Sequence, residues 1–217
     1  MNQLTFKFPF KTNYFEEDFY VSKNNFEAYK LIETWPNWSS KFINIFGPAG
    51  CGKTHLANIL KKKINSFYIK ASDLDNSSLS LIKEKECFII DEYQNNVEET
   101  LFYSILNQCF LSNQYVVINS SKSIQSFNVI LNDLKSRFNS FVNIGINLPT
   151  DELIKVIISK NFSDKQVKMD NKLLEYIFKN IDRSYVGIFD LIDKLDNLSL
   201  STGKSININL IKKALNK

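Results

Sequence analysis

The chain has 217 residues, 44% hydrophobic and 23% charged, with a formal net charge of +4. That is enough length for one domain or a domain with a small appendage, and an ordinary composition for a globular protein. No apolar run is long enough to span a membrane and no secretory leader is visible, so no membrane association and a cytoplasmic location are expected. Three cysteines, Cys51, Cys87 and Cys109, are odd in number and lack metal-ligand spacing, which suits a reducing compartment. The mild positive charge permits a nucleic acid or an acidic partner without demanding either.

In chain order, Gln3-Leu4-Thr5-Phe6-Lys7-Phe8 alternates apolar and polar positions. A half-buried edge strand does this, and so does an extended peptide that lays Leu4, Phe6 and Phe8 into an apolar groove. A helical pattern near 24–34 comes next. Strand-like runs at Phe42–Phe46, Phe67–Ala71, Cys87–Ile90, Tyr115–Ile118 and Phe141–Ile146 alternate with helical patterns at roughly 53–64, 98–112 and 126–136. Short apolar strands between helices predict an α/β fold with a parallel sheet covered on both faces. After Leu148-Pro149-Thr150-Asp151 only helices are expected, near 151–160, 170–180, 184–200 and 207–216. Thr150 or Asp151 is placed to cap the first, and Gly203 to turn between the last two.

The chemistry concentrates behind the first of these strands. Gly47-Pro48-Ala49-Gly50-Cys51-Gly52-Lys53-Thr54 is a complete G-x-x-x-x-G-K-T loop between a strand and a helix. Its backbone N–H groups and the helix N-terminus are suited to a phosphate; Lys53 would reach the β- and γ-phosphates and Thr54 would ligate Mg²⁺. His55 is counted with the loop as a nucleotide-contacting residue. Cys51 reads either as a small filler or as an oxidation-sensitive thiol. Lys61-Lys62-Lys63 closes the same helix, where cations favour the macrodipole.

Cys87-Phe88-Ile89-Ile90-Asp91-Glu92 is an apolar strand ending in two acids. Asp91 would hold a Mg²⁺-bound water, and Glu92 would orient the water that attacks the γ-phosphate. The strand ending Asn119-Ser120-Ser121 offers Asn119 as a γ-phosphate sensor, although Ser and Asn also start turns for local reasons. Only two of the 27 basic residues are arginine, Arg137 and Arg183. Arg137, in Leu134-Lys135-Ser136-Arg137-Phe138, is expected just after a helix and before a strand, at an edge from which it could enter a neighbour's active site.

This order of loop, Asp-Glu strand, polar strand end, Leu-Lys-Ser-Arg-Phe and helical tail resembles the AAA+ ATPases, in particular the DnaA/Hda family and its Hda branch. The resemblance covers nearly the whole chain. It implies a P-loop AAA+ parallel-sheet nucleotide-binding domain over 13–149 and a small all-helical lid over 150–217, preceded by a clamp-binding peptide over 1–12. Gln3, Leu4, Phe6 and Phe8 resemble the peptide that such proteins insert into the sliding clamp (the polymerase β subunit). Tyr20 and Val21 lie in Asp18–Asn25, similar to that branch's adenine pocket. Leu134–Phe138 is similar to its arginine-finger box. The lid arginine of the family falls on Val186, which leaves two readings: Arg183, one turn earlier, contacts the phosphates in its place, or the role is lost.

The resemblance further implies ATP or ADP with Mg²⁺ as ligands, and the DnaA initiator as the partner whose ATP is hydrolysed. Self-association through the AAA+ interface is a further expectation. A dedicated duplex-DNA-binding domain is not expected, since the chain stops at Lys217. Two alternatives share the loop: a self-sufficient loader acting with single-stranded DNA and a replicative helicase, which predicts a basic, aromatic-studded channel, and a small-molecule kinase, for which two arginines are few.

Overall fold

A computed structural model describes residues 14–82, 84–164 and 169–215; Gln3, Leu4, Phe6 and Phe8 lie outside the described residues. The apolar runs form strands β1 (Phe42–Phe46), β2 (Ser66–Lys70), β3 (Cys87–Tyr93), β4 (Tyr115–Ser120) and β5 (Val142–Gly145). They pair in parallel in the order β2-β3-β4-β1-β5. Parallel neighbours need crossovers, and α2 (Lys53–Lys63), α3 (Ser78–Leu81), α4 (Glu99–Leu111) and α5 (Asn132–Asn139) supply them, with α1 (Phe26–Glu33) preceding β1.

Strand alternation divides the core. Phe42, Phe88, Ile90, Val116 and Ile118 face Phe102, Ile105, Leu106 and Cys109 of α4 and Leu134 and Phe138 of α5. The intervening Ile43, Ile45, Ile89 and Val117 are equally buried, as side chains of successive strand positions point to opposite faces. The α4 positions are spaced three, four and seven apart, the stripe that one helical face presents. Each such side chain contributes about 1.5–3 kcal/mol on full burial.

The described chain divides into two compact units, Tyr14–Asn147 and the residues from Leu148 onward. The second is helical: α6 (Asp151–Asp164), α7 (Asn171–Asn180), α8 (Tyr185–Thr202) and α9 (Ile208–Ala214). Its core joins Ile154, Ile158 and Phe162 to Ile177, Ile188, Leu195 and Ile211. Thr150 Oγ1 accepts from Leu153 N–H at the start of α6, and Ser184 Oγ accepts from Gly187 N–H at the start of α8.

Three expectations are corrected. The helix expected at 126–136 begins only at Asn132. The Glu99 carboxylate accepts from the backbone N–H of both Ile130 and Leu131, and Asn95 Nδ2 donates to the Asn128 carbonyl, so the approach is bonded as an extended segment. Arg137 therefore sits inside the last turn of α5 rather than after the helix. The third concerns β3, which does not end before its acids but runs through them to Tyr93, with a register shift against β4 between Ile90 and Tyr93.

One polar residue inside β1 organises the top of the sheet. Asn44, fully buried, donates through Nδ2 to the Ile118 carbonyl and to Ser120 Oγ, and its Oδ1 accepts from Ile124 N–H. It ties β1 to the end of β4 and to the loop beyond. Asn44→Ala strands these buried groups, so urea unfolding should show a loss of about 2–4 kcal/mol.

Candidate nucleotide-binding site

The site forms at the carboxyl ends of the strands, where parallel sheets bind ligands. The loop Gly47–Thr54 leaves β1 and enters α2. Gly47 N–H donates to the Ser120 carbonyl at 3.2 Å, anchoring the loop to β4. A Cβ at Gly47 would stand 2.6 Å from the Ile146 carbonyl oxygen. Gly52, at φ +97°, is left-handed, and a Cβ there would lie 2.7 Å from the Phe19 ring. Both positions exclude a side chain for physical reasons. Lys53 Nζ donates to the carbonyls of Gly47 and Pro48 at 2.8 and 2.9 Å, closing the loop on itself.

β4 lies between β1 and β3, so a side chain from its end can reach the segments beyond both. Asn119, fully buried, does so: its Nδ2 donates to the Lys53 carbonyl at 3.1 Å and to Asp91 Oδ1 at 3.0 Å. Asp91 is 1% exposed. Its Oδ2 accepts from Thr54 Oγ1 at 2.8 Å and from the Tyr68 hydroxyl at 2.6 Å, while Oδ1 also accepts from Glu92 N–H at 2.9 Å. Burial, and then the Asp91 carboxylate, push the Tyr68 hydroxyl far above its ordinary range, so it remains a donor. Asn119 Oδ1 is buried with no hydrogen-bond partner among the described residues. A hydroxyl beside a carboxylate is the hard-oxygen chemistry that Mg²⁺ takes.

The Glu92 carboxylate sits apart from this network. The residue's φ is +59°, and its carboxylate is held by Lys70 Nζ at 2.9 and 3.0 Å. Tyr68 and Lys70 are two apart on β2 and share a face, yet they reach consecutive acids. A regular strand would send those acids to opposite sides; the irregularity at Asp91–Glu92 turns both toward β2. The Lys70–Glu92 pair is about half exposed and therefore solvent-screened.

The segment before β1 packs beside the loop. Phe19 stacks on Tyr29 and meets His55 edge-on. Asn25 pins the Tyr20–Val21 turn, accepting from Ser22 N–H and donating to the Tyr20 carbonyl. Tyr20 is exposed and Val21 partly so. His55 itself bonds the Phe15 carbonyl at 2.6 Å, and Lys62 bonds the Tyr14 carbonyl at 2.5 Å. Lys63 pairs with Glu16 and Glu33, so the end of α2 is more than a solvated cationic cap. Ala49 and Gly50 are exposed, Pro48 partly so.

Each arginine is bonded within its own unit. Arg137 Nη2 donates to Asn107 Oδ1 at 2.6 Å, and its guanidinium lies 4.0 Å from the centroid of the Phe110 ring. In the helical unit, Arg183 pairs with Asp151 at 2.9 Å and lies over Phe178, and Val186 is exposed. Reading residues in order misses Tyr68 and Lys70 as partners of the two acids. Their one available signal is a tyrosine and a lysine two apart at the end of a strand-like run.

A family model described as RNA helicase matches residues 43–132. The chain is 27% identical to the chromosomal replication initiator protein DnaA of Buchnera aphidicola over 88% of this chain and 49% of that protein. Domain III of Thermotoga maritima DnaA superposes with a TM-score of 0.77 at 21% identity, covering 96% of this chain and 98% of that one. AMPPCP-bound DnaA from Aquifex aeolicus gives 0.67 at 20% identity, over 85% and 65%. The chain spans about half the length of the curated DnaA relative. The strand order, the phosphate loop and the Asp-Glu strand, with a helical unit later in the sequence, define an AAA+ protein. In sequence the chain is similar to DnaA, the chromosomal replication initiator protein.

The loop and the buried thiols give two measurable outcomes. Gly52→Ala, strained in backbone and blocked by Phe19, should cost about 1–3 kcal/mol in urea unfolding and weaken nucleotide binding. Burial raises the Cys51 thiol despite the opposing Lys53 ammonium, pushes Cys109 up to about 12 and raises Cys87 further. A thiol-exchange reagent at pH 8 should accordingly titrate none of the three rapidly until the protein is unfolded.

Proposed function

We propose that this chain is a nucleotide-binding AAA+ regulator of chromosome replication initiation that docks on the sliding clamp and stimulates ATP hydrolysis by DnaA. The N-terminal residues 1–12, with Gln3, Leu4, Phe6 and Phe8, are the clamp-binding peptide in this reading; 13–149 is the nucleotide domain and 150–217 the lid. The protein itself holds ATP or ADP through Gly47–His55, with Tyr20 and Val21 beside the base and Arg183 answering from the lid. The Aquifex relative captured with AMPPCP supports an adenine nucleotide.

The oxygens of Thr54 and Asp91 fit Mg²⁺, which would neutralise charge on the β- and γ-phosphates. Around it the chain's own groups divide the work. Lys53 exchanges its loop carbonyls for phosphate oxygens. Asn119 couples the Lys53 carbonyl to Asp91, so a shift of the loop reaches the acid. Glu92, held by Lys70, is the group available to orient water once released.

The position of Arg137 carries the partner-directed part of the proposal. Its ring partner, Phe110, lies 6.0 Å from Phe42, the first residue of β1. The phosphate loop leaves Phe46 at the opposite end of that strand, four residues or about 13 Å along it. An arginine at the far pole of the sheet from its own loop is suited to a neighbour's nucleotide rather than its own.

The test combines the protein with DNA-loaded clamp and DnaA carrying radiolabelled ATP, and monitors phosphate release. Hydrolysis should require both this protein and the clamp, and Arg137→Ala should lower it by roughly a thousandfold, in the range for arginine fingers, while nucleotide and clamp binding persist. Undiminished stimulation by Arg137→Ala would refute the trans role. ATP turnover by this protein alone, raised by single-stranded DNA, would favour the loader.

A further inference from the structure

The Asp91 carboxylate has two hydroxyls on one oxygen: Thr54 Oγ1 at 2.8 Å and Tyr68 OH at 2.6 Å. Thr54 has a second duty in the proposed site, since its oxygen would also ligate the ion. Tyr68 has none. It comes from β2, separated from β1 in the sheet by β3 and β4, and belongs neither to the phosphate loop nor to the acid strand. The centroid of its ring lies 5.5 Å from the Lys61 ammonium of α2, so helix and strand both restrain it.

The backbone beneath Asp91 is irregular. The β3–β4 register shifts between Ile90 and Tyr93, and Glu92 is left-handed. On the β4 side regular pairing therefore lapses at the acid, whose backbone keeps its partner Lys70 on β2 alone, and its side-chain bonds supply the remaining restraint. A small dication with strict octahedral demands is sensitive to that direction. Partners that orient metal-binding carboxylates typically change metal affinity by about 10–100-fold when removed.

We propose that Tyr68 is a positioning residue for the metal-holding acid: its hydroxyl fixes the Asp91 carboxylate so that nucleotide binding responds to Mg²⁺. The inference rests on the reading of Thr54 and Asp91 as the Mg²⁺ site. It makes a separable prediction, because a residue that merely fills space would affect nucleotide binding with and without the ion alike.

The measurement is titration of a fluorescent ADP analogue into the full chain, once in EDTA and once in millimolar Mg²⁺, for wild type, Tyr68→Phe, Asp91→Asn and the double variant. Wild type should bind more tightly with Mg²⁺. Tyr68→Phe should keep the EDTA affinity and lose about tenfold of the Mg²⁺-dependent gain, the effect of one charge-assisted hydrogen bond. In the Asp91→Asn background Tyr68→Phe should change nothing further, as expected for a residue acting through Asp91.

Equal Mg²⁺ responses of wild type and Tyr68→Phe would overturn the inference alone. So would an equal loss in EDTA, which marks a structural role, or an undiminished Tyr68→Phe effect in the Asp91→Asn background. A wild type that binds the analogue without any response to Mg²⁺ would overturn the metal-site reading and this inference with it. Matching thermal melts of wild type and Tyr68→Phe verify that the fold is retained.

Discussion

A carboxylate removed from water must find its solvation in the protein, and Asp91 is such a group. At 1% exposure it would cost several kcal/mol if left unbonded. Its donors come from four separate places in the sequence: Thr54 at the start of α2, Tyr68 on β2, Glu92 beside it and Asn119 at the end of β4. Satisfying this one charge thus requires the strand order β2-β3-β4-β1 at the carboxyl end of the sheet. Fold and site are here the same constraint.

The two ends of the sheet carry different chemistry. At the carboxyl end lie the phosphate loop, the buried acid and the Asn44 bonds that hold the adjoining loops. At the amino end, Arg137 is stacked on Phe110 and bonded to Asn107. In the proposed function, a phosphate loop at one pole and a guanidinium at the other suit a head-to-tail interface, in which unlike surfaces meet. The Asn107–Phe110 contacts also give Arg137 a defined resting geometry on its own chain.

Much of this was legible from residue order. The strand runs apart from the end of β3, the glycine loop and the change to helices after Leu148-Pro149 read correctly because periodicity and turn residues act locally. The errors were non-local. Nothing within 126–136 announces that Glu99, some thirty positions earlier, bonds the N–H groups of Ile130 and Leu131 and delays α5 to Asn132. Likewise, Tyr68 looks like an ordinary strand aromatic until β2 is placed against β3. Arg137 was conspicuous as one of two arginines, but its contacts with α4 depend on helix packing that no spacing rule provides.

Lys53 is bonded within its own loop, with Gly47 and Pro48 carbonyls each within 3 Å. A phosphate gains that ammonium only by replacing two good hydrogen bonds, so the cation is not a bare electrostatic lure. The exchange sets a threshold: a ligand must bring enough further contacts to offset what the loop gives up. Free inorganic phosphate, with no base or sugar to add, brings fewer contacts with which to offset that exchange.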